Sequence, residues 1–266
     1  MAPATMLLIG CGNMAGAMLR GWIAGGLPAG MFAVVDPHAK DLPAGVRHLA
    51  QLPQGEAFDA ILLGIKPQGL ADVAPTLAGL AGPGTTVLSI LAGVELASLK
   101  RHFPRAAGVV RVMPNLAVAL GKSPVALAAD GLDDAAREAL FALIIPLGSP
   151  EWFAEDEFDL VTALAGSGPA FVYRYIDALA AAARSLGMAE DKAARIAVAM
   201  VEGAAALAAA SGEDPGTLAN RVASPGGTTR AGMDVLDADG ALNALALATL
   251  RAARDRSAQM AAEARG

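Results

Sequence analysis

Short apolar runs alternate with amphipathic stretches along the first 150 residues of the chain. The apolar runs predict strands at residues 5–9, 32–35, 60–65, 86–90, 108–112 and 125–128. Helical periodicity between them predicts helices at 14–24, 69–77, 95–101 and 133–145. Strands separated by helices at this spacing predict a mainly parallel sheet with right-handed crossovers. We therefore expect functional residues at the carboxyl edge of the strands, where such sheets bind ligands.

Beyond residue 155 the strand pattern disappears. Helical patterns cover residues 158–165, 169–186, 192–209, 215–222, 228–236 and 241–262, and Gly, Pro and Ser separate them. The predicted fold is α/β, with a dinucleotide-binding sheet domain at residues 1–155 and an all-α dimerisation and substrate domain at residues 156–266. Several helices carry Ala on more than one face, which predicts that a second copy of the chain covers them.

Composition narrows the classes of function. The formal net charge of -6, without a Lys/Arg cluster, argues against nucleic acid as a partner. Without a run of about 20 apolar residues or a secretory signal, we expect no membrane association and a cytoplasmic location. The single cysteine, Cys11, allows no intrachain disulfide and is interpreted as a compact turn residue. The acidic run at 155–157 fits a helix start better than a metal site, so we expect no metal.

The first predicted strand runs directly into a glycine-rich turn that opens the first predicted helix. Gly10 permits the tight turn, Gly12 lets a pyrophosphate approach the backbone, and the small Ala15 lets the helix pack on the strand. The N–H groups at the helix start, where Asn13 and Met14 lie, attract the phosphates. This context predicts a Rossmann-type dinucleotide site, whereas a purely structural turn is the alternative.

The second predicted strand ends at Asp36, which lies 24 residues after Gly12 and near the distance at which an acidic residue meets the adenosine ribose. A carboxylate there accepts hydrogen bonds from a 2′-hydroxyl and repels a 2′-phosphate, which favours NADH over NADPH. Alternatively, Asp36 begins an ordinary turn, and His38 or Lys40 meets a 2′-phosphate. The predicted cofactor is therefore NAD(P)H, with NADH favoured.

Three further strand ends carry candidate cofactor contacts. Lys66 is placed to meet a ribose or phosphate, or to remain a solvated loop lysine. The small residues around Ala92 allow a nicotinamide ring to lie against the backbone, or serve tight packing alone. The amide of Asn115 can orient the nicotinamide carboxamide or cap the next element, and its position does not decide between these roles.

Two loops of small residues in the helical half have the character of anion sites. Each combines glycines with hydroxyl side chains at a helix start, where free N–H groups can hold a carboxylate without an arginine. A pair of glycines followed by a pair of threonines is more than a helix cap requires, which favours substrate binding over an ordinary turn. The candidate substrate-binding residues are Gly166, Ser167 and Gly168 in the first loop, and Ser224, Gly226, Gly227 and Thr228 in the second, which ends at Thr229.

Six segments, in order along most of the chain, resemble the pyrroline-5-carboxylate reductase family: residues 10–15, 64–68, 89–93, 111–115, 162–171 and 224–229. The resemblance implies a Rossmann domain, an interleaved helical dimerisation domain, and an NAD(P)H-dependent oxidoreductase that reduces the cyclic imine 1-pyrroline-5-carboxylate to L-proline in proline biosynthesis. It also implies that the second loop holds the substrate carboxylate and that Thr229 is the catalytic residue, hydrogen-bonded to the imine nitrogen. The implied partners are a cyclic imino acid and further copies of the chain, as a homodimer or an oligomer of dimers.

The chain departs from the family pattern near the expected site. Leu116 and Ala117 stand where the family usually has Thr-Pro, residues 121–124 replace a Gly-x-Gly turn, and Ala165 stands where serine is common. Two alternatives therefore remain open. One is a related reductase of another cyclic imino acid, such as a six-membered ring, and the other is a cofactor-binding sensor without catalysis.

Overall fold

The computed structural model describes residues 3–39 and 41–265, so Lys40, a candidate phosphate contact, lies outside the described residues. The chain divides into two compact units. One contains the residues up to Ser167 together with those from Ala252 onward, and the other is Gly168–Arg251. These units differ from the division expected after residue 155, because residues 156–167 and the end of the last helix pack with the sheet. The functional domain boundary itself stays a prediction.

The first unit is built on a sheet whose eight described strands lie in the order β3-β2-β1-β4-β5-β6-β7-β8. Neighbouring strands pair in parallel, except that β6 and β7 are antiparallel. The mainly parallel sheet is thereby confirmed. The strands are β1 (Met6–Ile9), β2 (Phe32–Val35), β3 (Arg47–Leu49), β4 (Ala60–Leu63), β5 (Thr86–Ser89), β6 (Gly108–Met113), β7 (Ser123–Asp130) and β8 (Gly148–Trp152).

Helices cover both faces of this sheet, as buried parallel strands require. Leu7 and Ile61 point to the face covered by α2 and α3, whereas Leu8 and Leu62 point to the face covered by α1 and α4. The helices are α1 (Asn13–Ala24), α2 (Leu70–Leu77), α3 (Leu96–His102), α4 (Asp134–Ile144) and α5 (Phe158–Val161), and α5 continues as a π-helical turn, Thr162–Gly166.

The second unit is all-α in its described residues, as the sequence predicts. Its helices are α6 (Gly168–Ser185), α7 (Glu190–Ser211), α8 (Pro215–Arg221), α9 (Thr228–Asp237) and the start of α10 (Ala241–Arg265), which passes into the first unit at Ala252. Ala193 and Ala197 of α7 are buried. By contrast, Ile196, Met200 and Leu207 share one face of α7 and are 56%, 47% and 61% exposed.

Helix α7 is unusually apolar for a helix with so much exposed surface. It has 22 residues, its most apolar window has a mean hydropathy of 1.6, and 11% of that window is buried. By length and composition alone it could cross a membrane, but a single helix of this kind is weak evidence for that. An apolar face left open within one chain is also what an interface between two copies requires.

Candidate functional site

The glycine turn after β1 has the geometry that a dinucleotide site needs. Gly10 has φ of +85°, and a Cβ there would lie 2.8 Å from the carbonyl oxygen of Gly64 at the end of β4. A Cβ on Gly64 would in turn lie 2.8 Å from Cβ of Ala15, so the small side chains at these two positions let α1 pack against the end of β4. A Cβ on Gly12 would meet nothing within 4 Å, which leaves its backbone open to a large anion.

The amino end of α1 is free of side-chain caps. Gly12 is the N-cap residue, and no side chain accepts a hydrogen bond from the first-turn N–H groups. Gly12 and Asn13 are exposed, and Met14 is half-buried. These N–H groups and the positive end of the helix dipole can therefore bind a pyrophosphate, and the residues present fit the predicted cofactor.

Asp36, directly after β2, is fixed by two backbone donors. The N–H of Cys11 donates to Oδ2 at 2.7 Å, and the N–H of His38 donates to Oδ1, also at 2.7 Å. Desolvation raises the pKa of Asp36, but these two hydrogen bonds and the nearby His38 and His48 outweigh it and hold the pKa below its usual range. The carboxylate is therefore ionised and held next to the glycine turn.

Cys11 has the opposite electrostatic setting. Burial raises the pKa of its thiol, the charge of Asp36 raises it further, and Arg20 lowers it by less. A thiol with a raised pKa is protonated and a poor nucleophile at neutral pH. The interpretation of Cys11 as a compact turn residue agrees with this geometry.

The eight predicted cofactor residues lie at the carboxyl ends of five adjacent strands, β2, β1, β4, β5 and β6. The chain runs from β1 toward β3 on one side and from β4 toward β6 on the other, so Gly10 and Gly64 face each other at the switch point. Lys66 is exposed after β4, and Ala92 is half-buried after β5. The structure thus brings the predicted residues to one edge, whereas their contact with a cofactor stays a prediction.

Asn115 is committed to contacts within the chain. It is buried, its Oδ1 accepts the N–H of Ala117 at 2.9 Å, and its Nδ2 donates to the carbonyl of Ala165 at 2.9 Å. Its own N–H donates to Oγ of Ser123 at 3.0 Å. Of the two roles left open by the sequence, the capping role is therefore present in the structure, and one hydrogen of Nδ2 remains for a ligand. Sequence reasoning did not single out Ser123, which lies in the altered turn.

The first small-residue loop is tighter than the sequence suggested. Residues 162–166 form a π-helical turn in which the N–H of Ser167 donates to the carbonyl of Thr162 at 3.0 Å. A Cβ on Gly166 would lie 3.4 Å from Sδ of Met113, so this glycine permits close packing on the end of β6. Gly168 already begins α6. The N–H of Ser167 is thus used internally and is not free for an anion.

The second loop has the predicted open helix start. Gly227 is the N-cap of α9 and makes no side-chain cap hydrogen bond, and Thr228 and Thr229 are exposed in the first turn. Gly226 has φ of +72°, which favours glycine, and the N–H of Gly227 donates to the carbonyl of Ser224 at 3.0 Å. Hydroxyls and free N–H groups therefore meet at one helix end, as an anion site requires.

Among residues 3–39 and 41–265, no group of three or more His, Cys, Asp or Glu side chains is arranged to hold a metal ion. The acidic run after β8 makes internal contacts instead. Glu157 accepts the N–H of Ala154 at 2.9 Å, and Glu155 accepts from Arg111 at 3.0 Å. That the protein uses no metal stays a prediction.

The glycine turn at the switch point, the uncapped start of α1 and the fixed carboxylate after β2 define a dinucleotide-binding α/β oxidoreductase with a helical second unit. Two family models match the chain accordingly. The one described as pyrroline-5-carboxylate reductase dimerisation matches residues 155–260. The one described as NADP oxidoreductase, coenzyme F420-dependent, matches residues 5–93.

Whole-chain relatives agree with the family models. Pyrroline-5-carboxylate reductase of Pseudomonas aeruginosa is 33% identical over 269 residues, covering 98% of each chain. The structure of the corresponding protein from Coxiella burnetii matches with a TM-score of 0.89 and 28% identity, over 97% of this chain and 98% of that one. Plasmodium falciparum pyrroline carboxylate reductase with NADP bound shares the fold, with a TM-score of 0.82 and 19% identity over 97% of this chain and 98% of that one.

This chain belongs to the pyrroline-5-carboxylate reductase family. The family predicted from the sequence, the α/β fold class and the assignment as an NAD(P)H-dependent reductase are thereby confirmed. The match to a dimerisation model supports the formation of a homodimer. The choice between NADH and NADPH is a finer question.

Proposed function

We propose that this protein reduces 1-pyrroline-5-carboxylate to L-proline with NADH. The observation that carries the proposal is the start of α9, where the glycine-threonine loop leaves its N–H groups uncapped beside two exposed hydroxyls. A carboxylate is the ligand for which such a helix start is suited. The relatives named as reductases of this imino acid supply the substrate class.

The cofactor lies along the carboxyl edge of the sheet in this proposal. The N–H groups at Gly12, Asn13 and Met14 hold the pyrophosphate, and Asp36 accepts from the ribose hydroxyls. Lys66 meets a ribose or phosphate, and Ala92 and Asn115 lie at the nicotinamide end. Gly10, in the turn before α1, is the remaining proposed cofactor contact. Bound NAD(P)H supplies the hydride.

The substrate carboxylate is held by the loop containing Ser224, Gly226, Gly227 and Thr228. The side-chain hydroxyl of Ser167, flanked by Gly166 and Gly168, is a separate proposed substrate contact, because the N–H of Ser167 is already used within the chain. The hydroxyl of Thr229 donates a hydrogen bond to the lone pair of the neutral imine nitrogen. When hydride adds to the imine carbon, the C=N π pair moves to nitrogen, which takes up a proton from solvent through this hydroxyl and becomes a secondary amine. Orientation and hydrogen bonding are the main demands on the protein, so no strong general acid is needed.

The fixed carboxylate of Asp36 supports NADH rather than NADPH. Two N–H donors at 2.7 Å hold both of its oxygens, so the side chain cannot turn away from a 2′-phosphate without breaking them. Two anions held a few Å apart repel each other even in water. His38 and His48 lie close enough to Asp36 to influence its charge, and they are the groups that would offset this repulsion.

We also infer that the protein works in the cytoplasm as a homodimer or an oligomer of dimers. It acts on a small molecule, without nucleic acid, membrane or metal. The net charge of -6 supports the absence of nucleic acid.

Oxidation of NADH and of NADPH, measured separately with pyrroline-5-carboxylate and with its six-membered homologue, tests the proposal. We expect the highest kcat/KM with NADH and the five-membered ring. Faster turnover of the six-membered ring would establish the related reductase instead. Binding of NADH without oxidation in either assay would establish the sensor.

Thr229→Val tests the role of its hydroxyl because valine keeps the shape and removes the donor. We expect kcat to fall about 100-fold, the lower end of the range for a lost proton donor, with Kd for NADH unchanged. Thr217→Val makes the same replacement at an exposed position outside the site and serves as the control. Unchanged turnover in Thr229→Val would remove this hydroxyl from the mechanism.

A further inference from the structure

The loop between β5 and α3, residues 90–95, carries the predicted nicotinamide contact Ala92. The carbonyl of Leu91 accepts the N–H of Val94 at 3.3 Å, and Gly93 between them has φ of +75°, as a type II turn requires at this position. In the proposed cofactor placement, the backbone at Ala92 is part of the nicotinamide end of the site.

The end of this loop is held by a carboxylate from a distant part of the sequence. Oε1 of Glu155, which follows β8, accepts the N–H of Leu96 at 3.0 Å, and Leu96 is the first residue of α3. The same oxygen accepts Nη1 of Arg111 at 3.0 Å. One carboxylate oxygen thus joins the start of α3 to strand β6.

Arg111 is a rigid anchor for this contact. Its side chain is 5% exposed, and its guanidinium lies 4.2 Å from the ring centroid of Phe158, the first residue of α5. A guanidinium packed on an aromatic ring and paired with a carboxylate has little freedom to move. Because Arg111 is fixed, Glu155 transmits the position of β6 to the loop.

The middle of the loop is closed on its other side by the last helix. A Cβ on Gly93 would lie 3.0 Å from the carbonyl carbon of Met260 and 3.1 Å from the nitrogen of Ala261. Oγ of Ser257, one turn earlier, donates to Oδ1 of Asp159 at 2.7 Å. The loop is therefore confined between α10 and the contact with Glu155, and a shift at Leu96 would be passed on to Ala92.

Glu155 makes two contacts, and only one of them reaches the loop. Its carboxylate is the charge partner of Arg111, whose side chain is 5% exposed, so an apolar residue at position 155 would leave that guanidinium unpaired. The hydrogen bond from Leu96 is the contact that concerns the loop, and it can be removed without removing the ion pair.

We propose that Glu155 is a positioning residue for the nicotinamide half of the cofactor. By holding Leu96 against Arg111, it fixes the loop 90–95 where the nicotinamide ring lies. The inference rests on the cofactor placement in the proposed function, and it concerns binding, so it can be tested without a substrate.

The experiment compares Kd for NADH with Kd for ADP-ribose, which contains the adenosine half and no nicotinamide, in the full-length protein. For Glu155→Ala we expect NADH to bind about 10-fold more weakly, with less fluorescence enhancement of the bound nicotinamide, and ADP-ribose to bind as in the unmodified protein. The control is Glu157→Ala, in the same turn, whose carboxylate contacts Ala154 instead of the loop. An equal weakening of both ligands by Glu155→Ala, or an unchanged Kd for NADH, would overturn the proposal.

A second pair of variants decides the question if Glu155→Ala does not fold. Leu96→Pro removes the N–H that Glu155 accepts, and proline is tolerated at the first position of a helix after an extended residue such as Glu95, with ψ of 158°. Leu96→Ala loses the same side-chain packing and keeps the N–H. We expect Leu96→Pro to bind NADH about 10-fold more weakly than Leu96→Ala, with equal Kd for ADP-ribose. Equal NADH affinities in the two variants would overturn the proposal.

These measurements separate failure of the inference from failure of the proposed function. A protein that binds NADH but does not reduce pyrroline-5-carboxylate still allows the comparison of Kd values. A protein that binds neither NADH nor ADP-ribose would overturn the cofactor site and this proposal together.

Discussion

The two compact units bury their apolar side chains in different ways. In the sheet unit, large residues such as Trp22, Phe32 and Leu62 are fully buried within one chain. In the helical unit, α7 buries Ala193 and Ala197, whereas large residues on the same helix remain open to solvent. The first unit therefore has its own core, and the second requires another surface. We therefore predict that the helical unit provides the dimer interface, and that cofactor binding, proposed for the sheet unit, does not depend on that interface.

Ile196→Asp should give the largest effect, because it places a charge in the open face of α7. Burial of an isoleucine contributes about 1.5–3 kcal/mol, and a symmetric dimer loses it twice, so Kd for dimerisation should rise on the order of 10³-fold. Sedimentation velocity over a range of protein concentrations measures this change. Reductase activity should fall together with the dimer fraction.

Lys192→Asp is the matched control, since it places the same residue at an exposed charged position of α7. It should leave the dimer intact. The proposed difference between the units would be wrong if Ile196→Asp remained dimeric. It would also be wrong if Ile196→Asp lost affinity for ADP-ribose, because cofactor binding is proposed for the sheet unit alone.

Trp22→Ala should give the next largest effect, in the sheet unit. The indole of Trp22 stacks on Phe32 with 5.5 Å between ring centroids, and its Nε1 donates to the carbonyl of Leu143 at 2.8 Å. Removing a buried aromatic side chain of this kind costs about 3–5 kcal/mol, and urea denaturation monitored by circular dichroism would report the loss. The loss should be independent of protein concentration, unlike that of the α7 variant.

Met31→Ala is a control that also removes a large apolar side chain, here one that is only partly buried. Met31→Ala should lower the free energy of unfolding much less than Trp22→Ala does. If the loss of stability in Trp22→Ala varied with protein concentration, the stability of the sheet unit would also depend on the second subunit. The two units would then not differ in the way described.

Periodic patterns predicted the longer helices of both units closely, because these helices have enough turns to repeat their pattern. The sequence pattern for α7 covers residues 192–209, and the helix is Glu190–Ser211. The missed strands are the two sheet edges. β3 (Arg47–Leu49) has three residues and little buried surface, and β8 (Gly148–Trp152) contains Pro150 and Glu151, so neither has the apolar run of a buried strand.

The candidate site was predictable where one local motif sets the geometry, as at Gly10 and Gly12. It was not predictable where contacts join distant segments. The bond from Asn115 to Ala165 spans 50 residues, and that from Glu155 to Leu96 spans 59 residues. A single sequence contains no pattern for such pairs, because tertiary packing alone brings them together.

Asp36→Ser should give the smallest effect of the three and should be confined to the sheet unit. It removes the anion expected to repel a 2′-phosphate, so the ratio of kcat/KM for NADPH to that for NADH should rise about 10-fold, with the dimer unchanged. Steady-state kinetics with each cofactor would measure it. An unchanged ratio would mean that Asp36 does not set the choice of cofactor.

The pH dependence of the unmodified protein sharpens this last point. Because the pKa of Asp36 is lowered in the folded state, its hydrogen bonds contribute stability fully above the unfolded pKa of about 3.9 and lose it as the pH falls through the lower folded value. The carboxylate thus stays ionised from pH 8 to about pH 5. Selectivity for NADH that is constant over this range assigns the discrimination to Asp36, and selectivity that changes with pH over this range assigns it to a different group.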